Sequence, residues 1–301
     1  MLDYLDYDVA YFLGMIIARG KIIQNSTTYR INIEFPFTKP AMGGFSQFHE
    51  FISSIATKIL PRAKNLLGKE VDIYASESSK TVSMVINLPI HNIASRNFKL
   101  LLKNKTSYRE FRVPDVIKNA SDTQIVKEFM RGFADVAGNI RRSNRYIQGR
   151  HRVFLDVLFP NWRLPVELCF LLQNKLDVPV HSILWSHPNL RGGKALPREH
   201  QIRIYASDFL KIGFYIDFKQ KLLELLVAED ETYGRVSPTS KCKGLKRYRR
   251  KPRVSEEKNE ILPKAVRTHF DAFWEICAIM GCPYAKPFLE EKRRELFEGD
   301  D

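Results

Sequence analysis

The sequence of 301 residues has only four cysteines, and they are scattered rather than paired at short spacings. This argues against a disulfide framework and favours a reducing compartment. No apolar run approaches the length of a membrane span, and the acidic N-terminus lacks the basic-then-apolar pattern of a signal peptide. We therefore expect no membrane partner and a cytoplasmic location, associated with the nucleoid if the source is prokaryotic.

Acidic residues are outnumbered, with 34 Asp and Glu against 48 Lys and Arg, which gives a net charge of +14. An excess of this size favours a polyanionic partner, because it attracts phosphate backbones and speeds association. A basic surface can also serve solubility alone. The cations are densest in the acid-free span 241–253. We interpret this span as an arm that contacts phosphate or enters the minor groove, with a solubilising segment as the alternative.

Two short glycine-containing stretches, 12–20 and 130–138, look like copies of one element. Each is typical of the end of a helix, and each has a glycine, Gly14 or Gly132, within its apolar face. A glycine inside a helix costs about 1 kcal/mol relative to alanine. We therefore predict that two helix backbones approach each other closely at these glycines.

Each stretch closes with a second glycine, Gly20 or Gly138, just before a predicted strand. We expect glycine at these helix ends because it adopts a left-handed backbone without penalty. The two closing glycines are 118 residues apart, and the same order of elements follows each of them. Such internal duplication indicates two related halves.

The alternation of apolar and polar residues predicts an α+β fold of two pseudo-symmetric αββαββα halves with antiparallel sheets. We place the first half at 1–118, the second at 119–230, and a basic extension with one helix, 263–281, at 231–301. The patterns predict helices at 8–19, 44–60, 90–104, 122–137 and 163–176, strands at 180–185 and 200–205, and a long loop at 186–199.

The pair of glycine-containing stretches resembles the LAGLIDADG motifs of homing endonucleases, over roughly residues 7–228. The resemblance implies two motif helices at the centre of a pseudo-dimeric monomer, with saddle-shaped sheets over double-stranded DNA. It also implies an acid before each closing glycine, to bind the catalytic metal ion. Those positions hold Arg19 and Ala137, which offer none of the oxygen ligands that Mg²⁺ needs. We therefore expect no metal site and no cofactor.

Two other carboxylates are weak substitutes for the motif acids. Glu34 lies on the polar side of a predicted strand, where a solvated role is the simpler interpretation. Asp135 precedes Ala137 by two residues, and an acid at this place in the family supports the helix end without binding metal. We find no PD…(D/E)xK spacing and no HNH-like histidine cluster. A motif register shifted by one residue is the alternative to loss of the acids.

The candidate DNA contacts are polar strand positions, together with cations of the 186–199 loop and of the arm. Arginine with Asn or Gln is the set that reads guanine and adenine edges, and a solvated face is the alternative for each residue. The strand and strand-end candidates are Arg30, Asn32, Tyr74, Ser83, Arg141, Arg145, Arg152, Gln201 and Arg203; the loop adds Arg191 and Lys194, and the arm adds Lys246, Arg247, Arg249 and Arg250.

These patterns together predict a sequence-specific double-stranded DNA-binding protein that acts by recognition rather than by two-metal cleavage. One alternative is a site-specific DNA endonuclease, of homing or restriction type, that uses Mg²⁺ with other carboxylates. Another is an intron RNA maturase that binds structured RNA.

Overall fold

The computed structural model describes residues 5–37, 46–142, 150–158, 160–191 and 194–234. The predicted arm and the C-terminal helix at 263–281 lie outside these ranges. The described residues fall in one compact unit, 1–235, which contains both predicted halves. The boundary between the halves near residue 118 stays a prediction.

The first half begins with helix α1, Tyr7–Arg19, capped by the Asp6 carboxylate, which accepts a hydrogen bond from the Val9 amide at 2.7 Å. Its other elements follow in chain order. They are β1 (Gly20–Gln24), β2 (Thr28–Pro36), α2 (Ser46–Ser54), a π-helical turn (Ile55–Ile59), α3 (Leu60–Leu67), β3 (Val71–Ser76), β4 (Thr81–Pro89) and α4 (Ile93–Leu101).

The second half repeats this order after a short connecting helix, α5 (Asp115–Lys118). Its motif helix α6, Thr123–Ala137, is capped by Asp122, which accepts from the Gln124 amide. The remaining elements are β5 (Gly138–Arg141), β6 (Arg152–Leu158), α7 (Arg163–Phe170), a π-helical turn (Leu171–Lys175), β7 (Ser182–Arg191), β8 (Lys194–Tyr205), α8 (Ala206–Phe209) and α9 (Asp217–Gly234).

The two sheets have the same strand order, β1-β2-β4-β3 and β5-β6-β8-β7, and every neighbouring pair is antiparallel. One face of each sheet is apolar and buried, as Ile31 and Ile33 show in β2 and Ile202 and Ile204 show in β8. The predicted α+β fold of two matching halves is therefore confirmed.

Several helix bounds differ from the prediction. The helix expected at 44–60 continues through the π-helical turn to Leu67, because Pro61 occupies the first turn of α3 and does not end it. Gly68, at φ +58°, ends it in the left-handed conformation. Helix α4 is shorter than 90–104 because Asn92 caps it. Among the residues described, no helix is long and apolar enough to cross a membrane.

The predicted loop at 186–199 is wrong, because residues 186–191 extend β7 and residues 194–199 extend β8. The strands pair through His187 with Glu199 and Arg191 with Lys194, and the register shifts on both sides of His187. Strand β7 lies at the sheet edge. An irregular edge strand tolerates Pro188, which lacks an amide donor, so the proline does not indicate a loop here.

Helices α1 and α6 pack against each other at the two internal glycines, as predicted. A Cβ on Gly14 would lie 2.1 Å from the Phe129 carbonyl oxygen, and one on Gly132 would lie 2.0 Å from that of Tyr11. Real Cβ contacts of this length do not occur, so only glycine permits this separation. Gly14 and Gly132 lie on the facing sides of α1 and α6 and allow the close contact between the two halves.

Glycine is required at Gly20 and Gly138 for a different reason from the left-handed backbone that we predicted. Gly20 has φ −84° and Gly138 φ −81°, so neither is left-handed. A Cβ on Gly20 would instead lie 2.4 Å from the Ile16 carbonyl oxygen, and one on Gly138 would lie 2.3 Å from that of Ala134. The chain turns so tightly from helix into strand that a side chain would strike the last helical turn.

We predict that Gly14→Ala lowers the free energy of unfolding by about 3 kcal/mol, because the clash is with backbone that a rotamer change cannot relieve. Chemical denaturation measures the loss. Gly68→Ala is the control. A Cβ added to Gly68 would lie in open space, but the residue has a left-handed φ, so the substitution should cost only about 1 kcal/mol. Equal losses in the two variants would contradict close helix packing as the reason for Gly14.

Candidate nucleic-acid interface

The first sheet presents the predicted contact residues on one face. Arg30 and Glu34 are exposed and Asn32 is half-buried, in alternation with the apolar residues of β2. The strand register places Ser83 opposite Glu34 and Tyr74 opposite Ser83. Paired residues of antiparallel strands project to the same side. This face therefore extends across β2, β4 and β3.

The second sheet gathers its predicted residues in the same way. Arg141 pairs with Arg152, which pairs with Tyr205, and Arg203 and Gln201 follow on the same side of β8. Their exposure differs from the expected outward position, since Arg152 is 6% and Gln201 3% exposed. Arg141 and Arg203 are half-buried. Contact of these four residues with DNA stays a prediction.

The burial of Gln201 has a local cause. Its Nε2 donates to Asp156 Oδ1 at 3.0 Å, and Asn139 Nδ2 donates to the other oxygen of the same carboxylate. All three side chains lie on the polar face of the second sheet, next to the end of α6. The amide of Gln201 is therefore used to hold an internal carboxylate.

The remaining predicted contacts lie at the far ends of β7 and β8 or outside the described ranges. Arg191 and Lys194 pair at the facing ends of β7 and β8. Arg145 and the arm residues Lys246, Arg247, Arg249 and Arg250 lie outside the described ranges.

Arg19, at the first motif position, is held in an ion pair across the two halves. Its Nη2 lies 2.7 Å from Glu199 Oε1 in β8, and the two side chains are only 15% and 6% exposed. Burial acts to lower the pKa of Arg19, but the carboxylates of Glu199 and Asp156 outweigh it, so the pKa is raised. The guanidinium thus stays charged, and it occupies the space beside two buried acids.

Ala137, at the second motif position, is buried and has no polar side-chain atom. A cation from α9 lies next to it. Lys219 Nζ donates to the carbonyl oxygens of Ala134 at 3.2 Å, Asp135 at 2.6 Å and Gly138 at 2.8 Å. These carbonyls end the motif helix, where the helix dipole favours a positive charge. The ammonium therefore caps α6.

Asp135 is fully buried and points back into the protein. Its carboxylate accepts from the Tyr11 hydroxyl at 2.6 Å and from the backbone amides of Tyr215 and Ile216. Burial raises the pKa of Asp135 to about 6, although Lys219 and these donors oppose the shift. The carboxylate joins the two motif helices to the segment before α9. Both carboxylate oxygens of Asp135 therefore have internal hydrogen-bond donors, and its role as a substitute metal ligand stays a prediction.

The residues at the motif positions do not fit a divalent metal ion. Magnesium requires oxygen ligands, whereas the two positions supply a guanidinium and a methyl group. The nearest helix-end carbonyls are already bound by the Lys219 ammonium, and the Gly20 carbonyl accepts from the Tyr108 amide at 3.0 Å. Within the described ranges, no group of three or more His, Cys, Asp or Glu side chains is arranged to hold a metal ion.

Sequence patterns missed the two partners that complete this region. Glu199 falls two residues before Gln201 in the same alternation, so extending the predicted strand would have placed it on the polar face. Lys219 carried no local signal, because its acceptors are more than 80 residues away in the sequence. Only the fold shows that it reaches the end of α6.

Comparison with known proteins gives a likeness of fold. No protein-family model matches the chain, and no curated protein matches it. Among solved structures, I-DmoI in complex with its nicked target DNA, in the presence of Mn, is 15% identical, covers 68% of this chain and 92% of its own, and has a TM-score of 0.40.

Two further matches are described as LAGLIDADG homing endonucleases with DNA. I-LtrWI is 10% identical and covers 97% of this chain and 98% of its own, at a TM-score of 0.35. I-GzeII is also 10% identical and covers 76% and 93%, at 0.36. These are members of the family that the two motifs resemble. TM-scores this low carry no functional argument, so function is inferred only from the side chains of this chain.

We predict that the free energy of unfolding rises with pH between about pH 7.5 and 9.5 because of Lys219. Burial lowers its pKa from 10.5 to about 8, so the folded state binds fewer protons than the unfolded state above pH 8. Lys219→Met should remove this rise. It should also cost about 3 kcal/mol at neutral pH, because three carbonyls and Asp135 lose their cation.

Denaturation measured across that pH range tests whether Lys219 causes the rise. The range ends below pH 10, where Tyr29 begins to contribute because its pKa is raised from 10.0 to about 12. Lys221→Met is the control, since Lys221 is exposed on the same helix; it should change stability by less than about 0.5 kcal/mol. A pH profile unchanged in Lys219→Met would refute the assignment.

Proposed function

We propose that this chain is a sequence-specific double-stranded DNA-binding protein that recognises its target through the polar faces of its two sheets. On this proposal it does not cut DNA by two-metal chemistry. The observation that carries the proposal is the state of the motif positions: Arg19 is ion-paired with Glu199, and Lys219 binds the carbonyls around Ala137.

The charge and geometry of the chain support a duplex as the partner. The net charge of +14 favours a polyanion. Polar faces that carry Arg30, Asn32, Arg141 and Arg203 supply the side-chain types that read base edges in the major groove. Because the halves repeat one strand order, the two faces suit two successive segments of one duplex.

The electrostatics support recognition without cleavage. Metal-assisted cleavage needs cations that bridge protein oxygens and the scissile phosphate. At both motif positions a positive side chain of the protein is already bound to the available oxygens, so a divalent ion would meet a like charge. Removing either cation would leave buried carboxylate or carbonyl groups unpaired, which is costly. The chain is therefore stabilised in a form that disfavours metal.

We predict that the full-length chain enriches one duplex sequence from a randomised pool without cutting it. The selected duplex is incubated with the protein in Mg²⁺ and in Mn²⁺, and the products are separated under denaturing conditions. Binding should weaken steeply with salt, because Lys and Arg contacts release counterions.

Three outcomes would contradict the proposal. A site-specific double-strand break favours the endonuclease alternative. Failure to enrich any duplex removes sequence recognition. A structured RNA that outcompetes the selected duplex at matched salt favours the maturase alternative.

We also predict that Arg19→Asp combined with Ala137→Asp creates Mg²⁺ affinity that the native chain lacks. The double change removes the Arg19 cation and adds two carboxylates to Glu199 and Asp156, which gives four acids in the region. Titration calorimetry should detect binding in the millimolar range or tighter. Arg19→Asn with Ala137→Asn is the control, because it removes the cation without adding acids. A folded Asp variant with no metal affinity would contradict our motif register.

A further inference from the structure

Two arginines of the second sheet lie over one aromatic ring. The guanidinium carbon of Arg141, in β5, is 4.9 Å from the ring centroid of Phe154, and that of Arg203, in β8, is 5.2 Å from it. Phe154 lies between them on β6, paired with Arg203 in the register. The ring therefore limits the orientations that both guanidinium groups adopt.

These two cations have no anionic partner among the described residues. Neither forms an ion pair, and Nε of Arg203 is buried without a hydrogen-bond acceptor. Burial lowers the pKa of Arg203, and the neighbouring charges of Arg152 and Arg141 lower it further. Elsewhere in the described chain, other half-buried arginines such as Arg19 and Arg62 are ion-paired with acids. The second sheet thus holds positive charge that a ligand would neutralise.

The first sheet is built differently at the matching face. Arg30 is exposed there, Asn32 has an Oδ1 atom that is buried and unpaired, and Glu34 is exposed one pair further along β2. A carboxylate on this face repels phosphate and cannot bind the acceptor edge of guanine. The two faces therefore select for different base edges.

We infer that the second sheet reads a guanine-containing half-site through Arg141 and Arg203, and that the first sheet reads a half-site of different composition. This rests on the proposed DNA-binding function. Guanine presents O6 and N7 as two adjacent acceptors in the major groove, which match the fork of a guanidinium. A ring that restricts the forks favours this directed contact over a diffuse phosphate contact, and Phe154 acts as a positioning residue.

The test is selection from a randomised duplex pool with the full-length chain, repeated with Arg141→Gln and Arg203→Gln. The native chain should select guanine at two or more positions in one half-site only. Each variant should lose about 5- to 150-fold of the preference for guanine over other bases at a position in that half-site. The other half-site should be unchanged.

Arg163→Gln is the matched control. Arg163 is also unpaired and lies over an aromatic ring, 5.1 Å from that of Trp162, but it is exposed on α7 and not on the sheet face. It should select the same sequence as the native chain.

The outcomes separate the inference from the function on which it rests. If no duplex is enriched, both fail. If one is enriched but the variants leave its guanines unchanged, the inference fails and DNA recognition stands. If the variants weaken binding to all duplexes equally and reduce the salt slope by about 1, the arginines contact phosphate, and guanine reading is overturned.

Discussion

The contact between α1 and α6 fixes where everything else lies. Gly14 and Gly132 each face a carbonyl of the opposite helix at a distance that no Cβ permits, so the two backbones meet with no side chain between them. Their closing glycines turn at once into β1 and β5, since each also lacks room for a side chain. The ends of the motif helices and the first strands of both sheets are thereby held together by a single packing constraint.

Close packing of two helix ends leaves carbonyls and acids in a region with little water. Burying such groups is costly unless each has a partner. The chain meets this requirement with its own cations, since Arg19 pairs with Glu199 and Lys219 binds three carbonyls at the end of α6. The side chains of Arg19 and Lys219 therefore neutralise the buried acids and helix-end carbonyls of this region.

Sequence patterns predicted the features that depend on local periodicity: the strand alternation of β2, the end of α6 before Gly138 and the duplicated order of elements. They were wrong where contacts between strands decided the structure, since alternation within one strand does not reveal such contacts. Residues 186–199 contain Pro188 and two glycines, yet hairpin pairing makes most of them strand. Gln201 is buried because it binds Asp156 in another strand. The alternation of polar and apolar residues shows which face a side chain lies on, but not whether that side chain is exposed.

The two halves have the same fold, but the polar faces of their sheets carry different side chains. The strand orders match, and the motif glycines serve the same purpose in each half. The polar faces nevertheless differ, because Glu34 is exposed beside Arg30 on β2, whereas in the second sheet the acid Asp156 is buried and Arg141 and Arg203 lie over Phe154. Packing at the shared helix interface restricts the core of both halves equally, but it places no restriction on side chains that face away. The two polar faces can therefore differ in charge although the halves share one strand order.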